Sequence, residues 1–231
     1  MDITSRAGLK RFFTVINLFL RIFWSFYSIK FKKLWHRRSW PEAHRQKLYV
    51  SEALRFRRTA VEMGGLLIKL GQFFSTRVDV LPKSAIEQLA GLQDEVQPVT
   101  FQDIRQVAEE DFSMPLAEIY AQVEEIPLAS ASLGQVHQGV LTSGEKVAIK
   151  ILRPGIGDLT RIDLKAIRKV IDLLKIFTNW ESKIDMDAIY IEFEETLLAE
   201  LDYIQEGRNA EQMARNNSDR DILFPTIYWD Y

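Results

Sequence analysis

Residues 127–150 constrain the fold of this chain more than any other stretch. They read Pro-Leu-Ala-Ser-Ala-Ser-Leu-Gly-Gln-Val-His-Gln-Gly-Val-Leu-Thr-Ser-Gly-Glu-Lys-Val-Ala-Ile-Lys. The pattern is strand, small-residue loop, strand, turn, strand, and it closes on Val147-Ala148-Ile149-Lys150. Three short strands joined by tight connections predict a small sheet, and the helical periodicities on either side of them make the class α+β.

The chain has 231 residues, enough for one large or two small domains with a substantial core. It has no cysteine, which excludes disulfides, thiolate metal sites and cysteine nucleophiles, and fits a reducing compartment. His36, His44 and His137 are too few and too scattered for a zinc site, so no metal site is expected. The net charge of −2 hides an asymmetry: residues 1–60 carry 14 Lys and Arg against three acids, and the remainder carries 16 against 29. That split predicts a basic arm for an anionic surface beside an acidic domain.

From Phe12 to Ile29 the chain is apolar and aromatic, with Arg21 in the middle and Lys10, Arg11, Lys30, Lys32 and Lys33 at its flanks. A run of about 18 residues is the lower limit for a bilayer span, and an arginine at its centre costs roughly 2.5–3.5 kcal/mol. No small-residue cleavage site follows. The expectation is an interfacial helix: Trp24 and its aromatic neighbours enter the lipid, while Arg11, Arg21, Lys30, Lys32 and Lys33 remain at anionic head groups. An amphipathic helix packed on protein and a true span stay open as alternatives. Nucleic acid is not expected, because the basic residues of 30–58 come without a recognition motif and the aromatics lie upstream of them.

Residues 49–74 read as one helix with a basic first half and then Met63-Gly64-Gly65-Leu66-Leu67-Ile68-Lys69-Leu70-Gly71-Gln72-Phe73-Phe74. Glycines inside an apolar helix cost roughly 1 kcal/mol each relative to alanine, so close approach of a backbone or ligand is expected there. Lys69 and Gln72, three apart, share a face. In so apolar a run Lys69 needs a carboxylate, although a solvated lysine is the plainer reading. Leu81-Pro82 starts another helix, Thr100-Phe101-Gln102-Asp103 has the spacing of a helix N-terminus, and a helix over 103–122 is interrupted near Pro115. Further helices are predicted over 158–179 and about 185–215, and 224–229 reads as an emerging strand. Glu192, Glu194 and Glu195 read as a solvated face. Glu200 and Asp202, two apart, splay about 200° around a helix, so only one of them can meet Lys69.

Four features in order resemble the UbiB family of atypical kinase-like proteins. Lys69-Leu70-Gly71-Gln72 is similar to the family's K-x-G-Q motif, and Ala129 to His137 to its alanine-rich loop. Lys150 is similar to the lysine on the third strand of a kinase small lobe. Glu200-Leu201-Asp202-Tyr203, with Glu206 and Asn209, is similar to the family's E-x-D helix. The resemblance covers nearly everything from about residue 50. It implies a kinase-like small lobe, an antiparallel sheet plus helices, preceded by a mainly helical extension. It divides the chain into a basic aromatic membrane-associating segment over 1–48, a K-x-G-Q extension over 49–124 and an incomplete small lobe over 125–231.

By the same resemblance, ATP or ADP is held by Ala129, Ser130, Ala131, Ser132, Gly134, Gln135 and Lys150, and Glu206 positions Lys150. Alanines place β-carbons where a glycine loop offers bare backbone, so the nucleotide is cradled differently or less tightly. Lys69, Gly71 and Gln72 lie across the cleft, held by Glu200 and Asp202, in a regulatory role. The family is associated with ATPase-like activity and prenyl-lipid, quinone-type metabolism at membranes, which implies a peripheral place on the cytoplasmic face. Nothing in these residues resembles the catalytic-loop aspartate or the metal-binding Asp-Phe-Gly, so no catalytic residue is assigned and Mg²⁺ is expected only with a large lobe. The missing large lobe and lipid-biosynthesis proteins are the implied protein partners. The alternative is an inert truncated lobe that binds a membrane or a partner.

Overall fold

The structure, a computed structural model, describes residues 5–35, 42–93, 96–177, 185–218 and 221–231. Its first half is helical: α1 (Arg6–Trp35), α2 (Glu42–Met63), α3 (Leu66–Ser75) and α4 (Lys83–Ala90), then a 3-10 turn at Gly91–Gln93. α5 (Phe101–Phe112) and the single turn α6 (Leu116–Ile119) lead into a sheet of β1 (Tyr120–Val123), β2 (Ala129–Ser130), β3 (Gly134–Leu141) and β4 (Lys146–Leu152). α7 (Ile156–Phe177), α8 (Met186–Leu201) and α9 (Tyr203–Asn216) complete the order. The α+β class and the antiparallel small lobe expected from the sequence are what the chain forms.

β3 is the spine of the sheet. β4 pairs with it from Gly134↔Leu152 to Val140↔Lys146, while β1 and β2 share its other edge, against its C-terminal and N-terminal halves respectively. On β4 the side chains alternate: Ile149 and Ile151 are buried, and Lys150 between them faces the opposite way. Ile104, Ala108, Leu116 and Ile119, from α5 and α6, cover the face carrying Ile149 and Ile151. A second, larger core gathers Val15 and Leu18 of α1 with residues of α2, α3, α4, α7 and α8.

Local chemistry explains the boundaries. Thr100 caps α5, its hydroxyl oxygen accepting from the Asp103 amide at 3.3 Å, as the spacing predicts. The single helix expected over 49–74 is two helices: Gly64 and Gly65 both take φ of +63°, a left-handed conformation that ends α2 and starts α3. The helix expected over 185–215 also breaks, at Asp202 (φ −94°, ψ 83°), whose carboxylate accepts from the Gln205 amide and caps α9. Residues 120–122, expected at the end of a helix, instead belong to strand β1, recruited by pairing with β3. Residues 224–229 form no strand; Trp229 instead donates its indole N–H to Glu211 on α9 at 2.7 Å.

Candidate functional site

Lys150 leaves the sheet opposite the buried isoleucines and meets α9. Its Nζ lies 2.7 and 2.5 Å from the two carboxylate oxygens of Glu206, and 4.4 Å from the centroid of the Tyr203 ring. Tyr203 is the first residue of α9, one turn before Glu206. Its hydroxyl lies against Gly134, where a β-carbon would come within 2.5 Å of it. Burial, then the charges of Glu206 and Glu200, push the Tyr203 phenol up to about 12. One aromatic ring therefore supports both the lysine and the start of β3.

Lys69 on α3 forms an ion pair with Glu200, in the last turn of α8. Of the two acids, Glu200 meets the lysine, while Asp202 caps α9 by accepting from the Gln205 amide. Gln72 turns toward the 3-10 turn, its Nε2 3.5 Å from the Leu92 carbonyl, a long contact. Gly71 is explained by packing: a β-carbon there would lie 2.2 Å from Leu92 Cδ1 and 3.0 Å from Phe56 Cε1. The small residue lets α3 sit closely on both neighbours.

The loop between β2 and β3 is tight and pinned. Ala131 N–H donates to the Gly134 carbonyl at 2.8 Å, and the backbone of Arg153 donates to Leu133 at 2.9 Å. The Arg153 guanidinium lies along the loop, donating to the Ala131 carbonyl (2.9 Å), the Ser130 hydroxyl (2.8 Å) and the Gln97 carbonyl (2.7 Å). Burial lowers its pKa. Ala129 and Ala131 are exposed and Ser130 half-buried, whereas Ser132 and Gly134 are buried. Gln135 does not serve as a ligand side chain: it is fully buried, its Oε1 accepts from Val99 N–H, and its Nε2 lies 3.2 Å from His137 Nε2. His137 Nδ1 is 2.9 Å from the Glu124 carbonyl, so this chain of polar groups closes internally.

Arg11 is also corrected. Its guanidinium grips Asp163 of α7 through two contacts, 2.7 and 2.5 Å, and donates to the carbonyls of Met63 and Gly64 at 2.8 and 3.3 Å. The pair is buried, with 11% and 0% side-chain exposure, so Arg11 cannot lie at a head group. Burial pushes the Asp163 carboxyl up, opposed by Arg11. Arg21 and Trp24 are exposed, and the side chains of Lys30, Lys32 and Lys33 lie outside the described residues. Among the described residues no helix is long and apolar enough to cross a membrane, and no group of three or more His, Asp or Glu could hold a metal.

Three contributors escape sequence reasoning: Tyr203, Arg153 and the Arg11–Asp163 pair. The three-residue spacing Glu200, Tyr203, Glu206 carried a usable signal for the first. Arg153 and Arg11 carried none, because their partners are carbonyls or lie 152 residues away.

The sequence model of the family described as the ABC1 atypical kinase-like domain matches residues 91–231. An uncharacterized protein of Synechocystis is 38% identical over 176 residues, covering 76% of this chain and 30% of that one. ACTIVITY OF BC1 COMPLEX KINASE 7, a chloroplastic protein of Arabidopsis thaliana, is 36% identical, covering 76% and 25%. A probable protein kinase UbiB of Marinobacter nauticus is 35% identical, covering 79% and 34%. The chain thus spans about a quarter to a third of the length of these relatives.

Proposed function

The chain belongs to the ABC1 (UbiB) family of atypical kinase-like proteins, and from that premise we propose that it forms the nucleotide-facing lobe of an atypical kinase or ATPase. The observation that carries the reading is the Lys150–Glu206 ion pair on Tyr203, beside the pinned alanine-rich loop. A kinase-like lobe uses such a lysine to meet the α- and β-phosphates and such a glutamate to aim it. Lys150 and the exposed Ala129 and Ala131 suit the phosphates of ATP or ADP. Glu206 is the carboxylate on the strand lysine, and among the described residues no group of three or more His, Asp or Glu gathers, so Mg²⁺ enters this reading only with a large lobe. No phosphoryl-transfer step is therefore assigned to them. Lys69 and Glu200 fasten the extension helix α3 to α8, one turn of chain from Tyr203, which suits a regulatory part for the K-x-G-Q residues.

The division into residues 1–48, 49–124 and 125–231 belongs to this proposal, as does support of quinone-type lipid metabolism. The test is a titration of the intact protein with a fluorescent ADP analogue. Wild type should bind saturably, Lys150→Ala should lose at least tenfold in affinity and Glu206→Gln a smaller factor. Equal binding by all three would overturn the assignment.

A second reading, peripheral docking on an anionic membrane, rests on the outer face of α1. Leu9, Phe13 and Trp24 fall within one narrow stripe and are exposed, the last two by 61% and 65%, with Lys10 and Arg21 alongside. The opposite face, Val15 and Leu18, is spent on the core. Vesicle flotation of wild type against Phe13→Ser/Trp24→Ser tests it; equal flotation by both would remove the membrane claim.

A further inference from the structure

The sheet register sorts the alanine-rich loop by face. Ala129 pairs with Val136 and Val136 with Lys150, so this cross-strand row lies on the face that carries the candidate lysine. Ser130 pairs with Gln135 and Gln135 with Ile151, and that row lies on the opposite face, under α5. Two positions beyond Ile151, Arg153 emerges on the same α5 side. Its guanidinium reaches the Ser130 hydroxyl at 2.8 Å and, just ahead of α5, the Gln97 carbonyl at 2.7 Å. Its Nε donates to the Ala131 carbonyl at 2.9 Å. Arg153 therefore grips the loop from behind, on the side away from Lys150.

A cation drawn out of water ordinarily takes a carboxylate partner. Arg11, Arg77 and Arg168 each meet one. Arg153 meets none among the described residues, and burial lowers its pKa with no acid opposing it. Its donors are spent on two carbonyls and a hydroxyl, and a planar fork suits holding several acceptors at once. The consequence lies one peptide unit further on. In a trans peptide the N–H points opposite to the C=O. With the Ala131 carbonyl drawn toward the α5 face, the Ser132 N–H is turned toward the face of Lys150. Ser132 is buried, yet its N–H meets no acceptor among the described residues. Buried amides without an acceptor are rare, and one on the lysine's side of the sheet is a fit donor for an anion. We propose that Arg153 is a positioning residue for the phosphates of a bound nucleotide: by holding the Ala131 carbonyl behind the loop, it presents the Ser132 N–H to a phosphate oxygen. This rests on the nucleotide reading and adds to it a determinant that acts from the far side of the sheet.

The experiment titrates the full chain with a fluorescent ADP analogue and follows the Ser132 amide proton by NMR as unmodified ADP is added. In wild type that proton should move downfield by several tenths of a ppm as ADP saturates. Arg153→Met, which keeps an unbranched stem and loses every donor, should weaken binding roughly tenfold, since a hydrogen bond to a charged group is at stake. The downfield movement of Ser132 should vanish with it. Arg153→Lys, which keeps the charge but not the fork, should lose affinity as well. A merely structural role would lower the urea midpoint and leave both the affinity and the Ser132 shift of the folded variant unchanged. The proposal is overturned by that result, by wild-type ADP binding that leaves the Ser132 proton unmoved, or by full rescue in Arg153→Lys. If Arg153→Met does not fold, Arg153→Lys and the wild-type resonance decide. Wild type that binds no analogue removes the nucleotide reading and this proposal together. Binding lost in Lys150→Ala but kept in Arg153→Met overturns this proposal alone.

Discussion

Replacing Arg11 by alanine should be among the most damaging single changes in this chain. The guanidinium is the counter-charge of Asp163, which is completely buried, and it also supplies donors to the Met63 and Gly64 carbonyls at the end of α2. Removing one partner of a buried pair leaves an unsolvated charge, at a cost of about 3–5 kcal/mol. The carbonyls add about 1 kcal/mol, partly recovered if water reaches them. The expected loss is therefore about 4 kcal/mol, a large share of the ~5–15 kcal/mol of a typical domain. Replacing both members by apolar residues, Arg11→Met with Asp163→Leu, should cost no more than about 2 kcal/mol, because a well-packed apolar substitute for a buried pair is often nearly neutral.

The pH dependence of the single variant has a definite sign. Burial holds the Asp163 carboxyl above the usual carboxylate range against the pull of Arg11, and without Arg11 it rises further. A folded-state pKa above the unfolded value means that the folded state binds the proton more tightly. Stability is then retained below the unfolded carboxylate's pKa of about 3.9 and is lost as pH rises toward the raised value. The deficit of Arg11→Ala should accordingly be small near pH 4 and full at pH 7. Urea titrations followed by circular dichroism at both pH values read this directly. A variant with wild-type midpoint and slope at pH 7 would refute the buried pair, and with it the docking of α1 on α7.

Gly71→Ala should destabilise by about 1–2 kcal/mol: overpacking against Leu92 costs about 1–3 kcal/mol, and better helix propensity returns up to about 1. Leu92→Val should recover part of that loss in the double variant; strict additivity in urea titrations would contradict a steric cause. Tyr203 should keep its proton to about pH 12, so stability should fall between pH 10 and 12 as unfolded tyrosine ionises first. With the ring partly exposed, that contribution is roughly 1 kcal/mol after screening, and Tyr203→Phe should flatten that part of the stability profile. Ala129→Gly or Ala131→Gly should change affinity or selectivity for ATP and ADP, since a missing β-carbon allows closer approach of the loop backbone; unchanged titrations for both variants would reject that reading.

What the sequence disclosed and what it withheld follow from how local the physics is. The strands of 134–152 and the Thr100 cap are set by neighbours in the chain, and both were legible. Lys150 and Glu206 were placed by family resemblance, and the fold brings them, 56 positions apart in the chain, within 2.7 Å. The breaks at Gly64–Gly65 and Asp202 were not legible, because apolar periodicity continues across them while one backbone dihedral pair or one cap decides the outcome. Residues 120–122 read as helix by pattern and became strand by pairing with β3. Arg11 read as a head-group ligand because composition reports a basic flank, whereas its position on α1 turns it inward to Asp163. Helical phase separates it from the exposed Phe13 and Trp24, and that phase becomes meaningful only once α7 is known to lie beneath.

The most direct test of the central claim is covalent labelling of the intact protein with an acyl-phosphate analogue of ATP, followed by mapping of the modified lysine. Acylation is expected at Lys150, suppressed by excess ATP or ADP and altered in Glu206→Gln. Labelling spread over surface lysines and indifferent to added nucleotide would contradict it.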